Sequence, residues 1–248
     1  MRIPNKPLLT TSRSARSQSG GVRQREMKRK TLLSWSSGKD SAWALHLLRQ
    51  DPATDLLGLF TVMNQKYNRV SMHATRPELL RRQAEAACLP IQFINFPDPC
   101  TNDQCDAIMR DFVTQCTAKG IERIAFGDLF LEDIRRYREN QLTGTGIEPV
   151  FPLWNIPTAE LAEQMLAGGM EAYLSSVDLK KLPARHAGRK WTRELLKEFP
   201  EGTDPCGENG EIHTVVVGGP MFRKAIPVTV GEIVEREGFA YADIIPMN

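Results

Sequence analysis

The sequence predicts an α/β fold in which a doubly wound parallel sheet is followed by a smaller α+β lobe. From Lys30 onward, apolar runs of strand length alternate with apolar residues at helical spacing. Beyond about Asn140, prolines and glycines divide the chain into shorter elements. With 248 residues, the chain has room for one large domain or two small ones. We therefore divide it into a basic, disordered tail over 1–28, a first domain over 29–140 and a second lobe over 141–248.

The first domain is predicted to contain repeated strand–helix units. The predicted strands are Thr31–Trp35, Asp55–Met63, Ile91–Phe96 and Ile121–Gly127. The predicted helices are Ser41–Gln50, Arg76–Ala87, Asn102–Lys119 and Leu131–Arg138. Ligands of such sheets bind beyond the carboxyl ends of the strands, so the residues that follow each strand are the first candidates for a site.

The second lobe is predicted to mix helices and strands. The predicted helices are Thr158–Leu166, with Thr158 as its N-cap, and Trp191–Phe199. The predicted strands are Glu171–Val177 and Val215–Val217. A small lobe beside a doubly wound sheet forms a cleft, which is a usual place for a second substrate.

Charge is distributed unevenly along the chain. The net charge is +2, but residues 1–30 hold nine Lys and Arg with Glu26 as the only acid. The remainder has six more acidic than basic residues and does not favour nucleic acid as a partner. Three interpretations of the tail stay open, namely a transit peptide, a basic arm for an acidic partner, or an extension ahead of a start at Met27.

Neither the apolar runs nor the cysteines indicate a membrane or secreted protein. No run approaches the roughly 18 apolar residues that a membrane span needs. Five cysteines at irregular spacing do not form a disulfide framework, so we expect a cytoplasmic protein. Cys100, Cys105 and Cys116 lack a C-x2-C pair, which favours packing within a helix over metal binding.

Small and polar residues occupy the junction between the first predicted strand and the first predicted helix. A helix N-terminus carries roughly half a positive charge and free N–H groups, so it favours phosphate. The spacing matches neither the Walker loop nor the dinucleotide-binding G-x-G-x-x-G. The candidate phosphate ligands are Ser34, Ser36, Ser37, Gly38, Lys39, Asp40 and Ser41. The run Ser36–Ser41 resembles the S-G-G-x-D-S pyrophosphate loop (PP-loop) of the ATP-pyrophosphatase superfamily, with Ser37 in place of the first glycine.

Two further residues follow predicted strands. His73 lies just before the helix that starts at Arg76, where it either faces the nucleotide or caps the helix. Asp128 follows the fourth strand, and a carboxylate at that position can hold Mg²⁺ together with Asp40. The alternative for Asp128 is an N-cap of the next helix.

The densest polar cluster in the second lobe spans Asp204 to Thr214. It holds three carboxylates, a thiol and an imidazole, broken by glycines. Glu211 and His213 alternate at the start of a strand, so we expect both on one face, where either could act as general base. The candidate substrate-binding residues are Cys206, Gly207, Glu208, Glu211 and Thr214. A metal site formed by Cys206 and His213, or a purely structural loop, remains an alternative.

The PP-loop, the run D-x-C-G-E-x-G-E-x-H-T and the following G-P-M-F together resemble the diphthine–ammonia ligase family, over roughly residues 30–225. The resemblance implies a Rossmann-like, adenine nucleotide alpha hydrolase-like domain that binds ATP, and a C-terminal cleft. The reaction that it implies activates a carboxylate as an adenylate, releases AMP and pyrophosphate, and transfers ammonia or an amine. Lys39, Asp128, Glu211 and His213 are the implied catalytic residues.

The partners implied are ATP with Mg²⁺, an ammonia or amine donor and a carboxylate acceptor, which could be a protein side chain. Formation of homo-oligomers is left open. Two other functions also stay open, a tRNA-modifying enzyme of the same superfamily and a non-catalytic sensor of adenine nucleotides. The tRNA-modifying enzyme should show a basic groove and often paired cysteines, whereas this globular part is acidic and has no C-x2-C pair.

Overall fold

The computed structural model describes residues 27–65, 69–70 and 75–247. Its main sheet has five parallel strands in the order β4-β2-β1-β5-β6, and a short β3 pairs antiparallel with β2. The bounds of these strands are β1 Arg29–Ser34, β2 Thr54–Asn64, β3 Arg69–Val70, β4 Ile91–Phe96, β5 Arg123–Ala125 and β6 Glu148–Val150. The expected α/β fold is thereby confirmed.

Helices cover both faces of this sheet. They are α1 Lys39–Gln50, α2 Pro77–Ala87, α3 Asn102–Ala118 and α4 Glu132–Leu142. Successive strand residues point to opposite faces, so Leu33 of β1 packs in the cluster that contains α1 and α2, whereas Leu32 packs with α3 and α4. The apolar runs thus read as strands buried on both faces.

A four-stranded antiparallel sheet of order β8-β7-β10-β9 forms the second lobe. Its elements are α5 Thr158–Ala167, β7 Glu171–Asp178, a 3₁₀ turn Ala184–His186, α6 Arg193–Leu196, β8 Ile212–Gly218, β9 Val228–Arg236 and β10 Phe239–Pro246. Leu161 of α5 and Val216 of β8 belong to the same hydrophobic cluster as Leu45 of α1. The two sheets therefore share one core.

Several elements differ from the sequence-based expectation. Strands β3, β6, β9 and β10 were not predicted; β6 contains Pro149 at the edge of the main sheet, where a missing N–H is tolerated. Trp191 lies outside α6 because its backbone N–H donates to Ala172 O at 2.8 Å, which ties it to β7. Thr158 is the first residue of α5, whose N-cap position is Pro157, rather than the cap itself. The first domain was predicted to end at residue 140, whereas β6 follows that residue and pairs with β5 in the main sheet.

The cysteines were predicted only in part. Cys116 is buried in the core on α3, as expected, but Cys100 and Cys105 are bonded to each other through their sulfurs. The proximity arises because Cys100 lies just before the N-cap residue of α3, Thr101, and Cys105 lies in the first turn of that helix. Within the part of the chain that the structure describes, no helix combines the length and the apolar character needed to cross a membrane.

Candidate active site

A polar cavity of about 220 Å³ lies between the carboxyl ends of β1 and β5 and the start of β8. Both polar clusters of the sequence contribute to its wall. The residues that line it are Ser34, Ser36, Lys39, Asp40, Ser41, Phe126, Gly127, Asp128, Arg138, Cys206, Gly207, Glu208, Ile212, His213 and Thr214. Two stretches more than 160 residues apart in sequence thus meet in one cavity.

The phosphate loop connects β1 to α1 and is held by its own hydroxyls. Gly38 is the N-cap residue of α1, and its N–H donates to Ser36 Oγ at 3.3 Å. Ser41 Oγ donates to the carbonyl oxygen of Gly38 at 3.0 Å and lies 3.1 Å from Ser36 Oγ. The positive end of α1 therefore faces the cavity with two serine hydroxyls beside it.

Ser37 occupies a backbone conformation that usually requires glycine. Its φ is 77°, and its side chain is fully buried. Its hydroxyl lies 2.7 Å from Thr75 Oγ1 and is not part of the cavity wall. The prediction that this hydroxyl serves phosphate therefore receives no support, because Thr75 engages it.

Gly127 allows the end of β5 to approach the start of α1. A Cβ atom at this position would lie 2.8 Å from Ser41 N and 2.9 Å from Asp40 C. Real Cβ atoms essentially never come this close to backbone atoms. The close approach brings Asp128, the next residue, to the cavity.

Lys39 joins the two halves of the site. Its side chain is only 2% exposed, and Nζ donates to Asp40 Oδ2 at 2.9 Å and to the carbonyl oxygen of Cys206. Its backbone N–H donates to Thr214 Oγ1 at 3.1 Å. Burial opposes its charge, but the nearby Asp40 and Glu208 carboxylates hold the pKa of Lys39 above its ordinary value. The lysine is therefore charged and its position is fixed.

Asp204 organises the loop that leads into β8. Its Oδ1 accepts from Cys206 N at 3.0 Å, and its Oδ2 accepts from Glu208 N at 2.9 Å. Cys206 donates its thiol to Thr158 O at 3.4 Å, and burial raises the pKa of this thiol to about 12. Cys206 is therefore a buried thiol that donates a hydrogen bond to the backbone at the start of α5. Among the residues that the structure describes, no group of three His, Cys, Asp or Glu has the arrangement of a metal site.

Glu208 and Asp128 present carboxylates to the cavity. Glu208 Oε1 accepts from Leu129 N at 2.9 Å, and burial raises the pKa of Glu208 to about 7. Burial also raises the pKa of Asp128, although Arg138 opposes this from 3.6 Å. Asp128 is not the cap of α4, since Leu131 occupies the N-cap position.

Of Glu211 and His213, which were expected on one face, only His213 lines the cavity. Strand β8 begins at Ile212, so Glu211 lies just before it. Glu211 is buried with Oε1 3.8 Å from Lys181 Nζ and does not line the cavity. His213 does line it, and burial together with the charge of Lys39 lowers the pKa of His213 to about 4.

A second cavity of about 390 Å³ adjoins the first. Ser34, Ser36, Phe126, Arg138 and His213 line both. The rest of its wall is largely apolar and comprises Trp35, Phe60, Thr61, Val62, Val70, Phe96, Met109, Tyr137 and Gln141. The two together offer a polar compartment and an apolar one in direct connection.

Three contributing residues were not found by sequence reasoning, namely Thr75, Gln83 and Arg138. Gln83 on α2 is fully buried and donates from Nε2 to the carbonyl oxygens of Ser37 and Val216. Arg138 lies with Cζ 5.0 Å from the Phe126 ring centroid. Of these three residues, Arg138 alone has a signal in the sequence, because it lies in the helix that follows Asp128. His73 lies outside the described residues.

The carboxylates of the cavity suit Mg²⁺. Asp40 Oδ1 and Asp128 Oδ2 are buried and lack a hydrogen-bond partner within the described ranges. Mg²⁺ in nucleotide sites is usually held by one or two carboxylates together with substrate phosphates. Two carboxylates next to a phosphate loop match this donor set, with Arg138 Nε 3.6 Å from Asp128 Oδ2 as the neighbouring cation.

Comparisons with known proteins cover both halves of the chain. The family model described as diphthamide synthase N-terminal domain matches residues 28–148, and the one described as its C-terminal domain matches 157–245. Diphthine–ammonia ligase of Bos taurus is 26% identical over 240 residues, covering 84% of this chain and 86% of that protein. The Rattus norvegicus protein of the same name is 31% identical over 132 residues, covering 50% and 48%.

Among solved structures, the U34-tRNA thiolase NcsA from Methanococcus maripaludis aligns over 57% of this chain and 59% of that chain, with 16% sequence identity and a TM-score of 0.38. Both halves of the sequence are matched by the two domains of one family, in the same order. The chain belongs to the diphthamide synthase family.

Proposed function

We propose that the protein is an ATP-dependent carbon–nitrogen ligase that activates a carboxylate as an acyl-adenylate and transfers ammonia to it. The observation that carries the proposal is the single cavity shared by the phosphate loop and the loop before β8. A phosphate site explains how ATP is used, and the second loop supplies the groups that an acceptor and an amine require. The relatives named diphthine–ammonia ligase support the same reaction.

The phosphate loop is proposed to hold the pyrophosphate that leaves. Ser36 and Ser41 supply hydroxyls, and the backbone N–H groups at the start of α1 face the same compartment. Lys39 supplies a full charge that is held in place from both lobes. Such preorganised donors stabilise charge that develops as the leaving group departs.

The apolar cavity is proposed to hold the adenosine. Its volume and aromatic lining suit a purine, and its connection with the polar cavity through Ser34 and Ser36 supports a base on one side and phosphates on the other. The pairing of β1 with β2 ends at Ser34 and Phe60, and Trp35 N donates to Phe60 O just after it. Val62 lies on β2 two residues past this point. Backbone groups of β2 past this point are therefore candidates for reading the base edge.

Asp40 and Asp128 are the residues proposed to hold Mg²⁺. When bound, the ion would neutralise phosphate charge as the adenylate forms. Arg138 supports this role from 3.6 Å, because its charge opposes the effect of burial, which raises the pKa of Asp128.

Glu208 is proposed as the general base in place of Glu211. It lines the cavity, and a pKa of about 7 leaves it able to accept a proton at neutral pH. His213, with a pKa near 4, stays neutral and can only orient or donate weakly. Ammonium must lose a proton before its nitrogen can attack the acyl carbon, and Glu208 would remove it.

The acceptor is proposed to be a carboxylate, in line with the diphthine named for the relatives, and the nitrogen donor ammonia. The experiment is to incubate the protein with ATP, Mg²⁺, ammonium and diphthine-bearing protein and to measure AMP, pyrophosphate and amide. The proposal expects all three in equal amounts. ATP binding without AMP, with every carboxylate tried, would instead identify a nucleotide sensor. A cytoplasmic location remains part of the proposal.

A further inference from the structure

Strand β9 forms an exposed edge of the antiparallel sheet. It pairs with β10 on one side, and no described strand lies on its other side. Val230, Ile233 and Val234 are 38%, 45% and 38% exposed. β9 is an edge strand of nine residues without proline, whose pairing with β10 is regular over 233–236 and shifts register at Gly231 and Glu232. The stretch next to the turn, with its exposed apolar side chains, is a template for pairing with another strand.

The hairpin turn determines which backbone groups of β9 face outward. Glu237 and Gly238 form a two-residue turn with φ of 52° and 82°, and Arg236 pairs with Phe239. A two-residue turn of this type makes the closing residues a hydrogen-bonded pair. Arg236 and Val234 thus direct their N–H and C=O groups toward β10, and the alternation directs those of Ile233 and Glu235 outward.

This alternation limits how β9 can pair with a second copy of itself about a two-fold axis. An axis at Ile233 sets Ile233 opposite itself and forms no ion pair, and an axis at Glu235 sets two carboxylates opposite each other. An axis at Val234 sets Ile233 opposite Glu235 in hydrogen-bonded pairs. It also sets Glu232 opposite Arg236 twice, in the closer non-hydrogen-bonded pairs.

We propose that β9 is a homodimer interface in which two copies pair antiparallel about Val234. The charges of the strand are self-complementary only in this register. Val234 packs against itself at the axis, between the two Glu232–Arg236 pairs, on the face that Tyr241 of β10 shares. The Arg236 guanidinium lies 4.5 Å from the Tyr241 ring centroid, which holds it on that face. The two four-stranded sheets would become one continuous sheet.

The contact is small, because one pair of strands buries much less than the standard interface of roughly 1,600 Å². We therefore expect a dimer that dissociates on dilution, with a dissociation constant in the micromolar range. The start of β8 lines the cavity of the phosphate loop, and β9 is at the opposite edge of the same sheet. The proposed interface is therefore remote from that loop. Its formation is thus independent of the proposed reaction.

Sedimentation velocity of the full chain over a wide concentration range tests the proposal. Wild type should dimerise, and Glu232→Arg or Arg236→Glu should each weaken dimerisation about tenfold or more, because each sets like charges opposite. The double swap Glu232→Arg with Arg236→Glu should restore it. Glu201→Arg, an exposed charge reversal outside β9, is the matched control and should change nothing.

Cross-linking reads the register directly. Val234→Cys should form a disulfide-linked dimer with oxidised glutathione, because residues opposite each other in a non-hydrogen-bonded pair lie within disulfide reach. Glu232→Cys should not, and wild type controls for the exposed Cys88. Unaltered circular dichroism shows that each variant folds. A wild type that is monomeric throughout, a dimer that survives both single reversals, or cross-linking at 232 rather than 234 would each overturn the proposal.

Discussion

The side-chain amide of Gln83, on α2, holds the phosphate loop by donating from Nε2 to the carbonyl oxygen of Ser37 at 3.1 Å. The same nitrogen donates to Val216 O at 2.7 Å, and Oε1 accepts from Trp35 Nε1 at 2.9 Å. The amide of this fully buried side chain thereby donates two hydrogen bonds and accepts one, which ties α2 to the phosphate loop and to β8. The loop is shaped by residues outside its own motif.

Gln83→Met should lower both stability and ATP affinity. The substitution leaves the buried Trp35 N–H without its acceptor, which should cost about 1–3 kcal/mol in the free energy of unfolding. Urea denaturation and calorimetric titration with ATP measure the two effects. Gln92→Ala, an exposed glutamine on β4, is the control and should leave both unchanged. Unchanged ATP affinity in a folded Gln83→Met protein would contradict the supporting role.

Gly127→Ala should abolish ATP binding. The added Cβ would lie 2.8 Å from Ser41 N, so the end of β5 and the start of α1 must separate. Gly202→Ala separates this effect from general destabilisation. Gly202 has a positive φ, of 81°, and open space around it, so the change should cost about 1 kcal/mol and leave ATP affinity intact. Equal ATP affinity in the two variants would refute the close approach.

Asp128→Asn should raise the Mg²⁺ concentration needed for half-maximal pyrophosphate release by about tenfold or more, a typical loss when a metal site is perturbed. Asparagine keeps the shape but lacks the charge that Mg²⁺ requires. Chelation with EDTA should stop the reaction in wild type. Asp133→Asn, whose side chain is 95% exposed on α4, is the matched control. An unaltered Mg²⁺ dependence in Asp128→Asn would remove Asp128 from the metal site.

The sequence predicts those parts of the site that are contiguous in the chain. The residues of the phosphate loop and of the loop before β8 could be identified because each stretch has its own composition and spacing. Gln83 could not, because its contacts are with strands far away in sequence and an amide on α2 carries no local signal. The expectation that Glu211 shares the face of His213 depended on where a strand begins. β8 begins at Ile212 and Glu211 does not line the cavity, so we propose Glu208 as the general base instead.

Glu208→Gln should lower the turnover number by about 10²–10⁴-fold, the usual contribution of a general base. The amide still accepts from Leu129 N, so the fold should be retained. In wild type the rate should rise as pH increases through about 7, where Glu208 loses its proton, and then level off. In Glu208→Gln this rise of the rate with pH, the pH limb, should be absent.

Stability supplies an independent check on the same residue. The folded-state pKa of Glu208 is raised to about 7 from an ordinary 4.5, so the native state binds the proton more tightly than the unfolded chain. Stability should therefore fall as pH increases from about 4.5 to 7, and Glu208→Gln should be more stable than wild type at pH 8 but not at pH 4. Glu211→Gln, which alters a carboxylate outside the cavity, should keep the pH limb of the activity. If the pH limb is lost in Glu211→Gln, or if it survives in Glu208→Gln, the role of general base returns to Glu211.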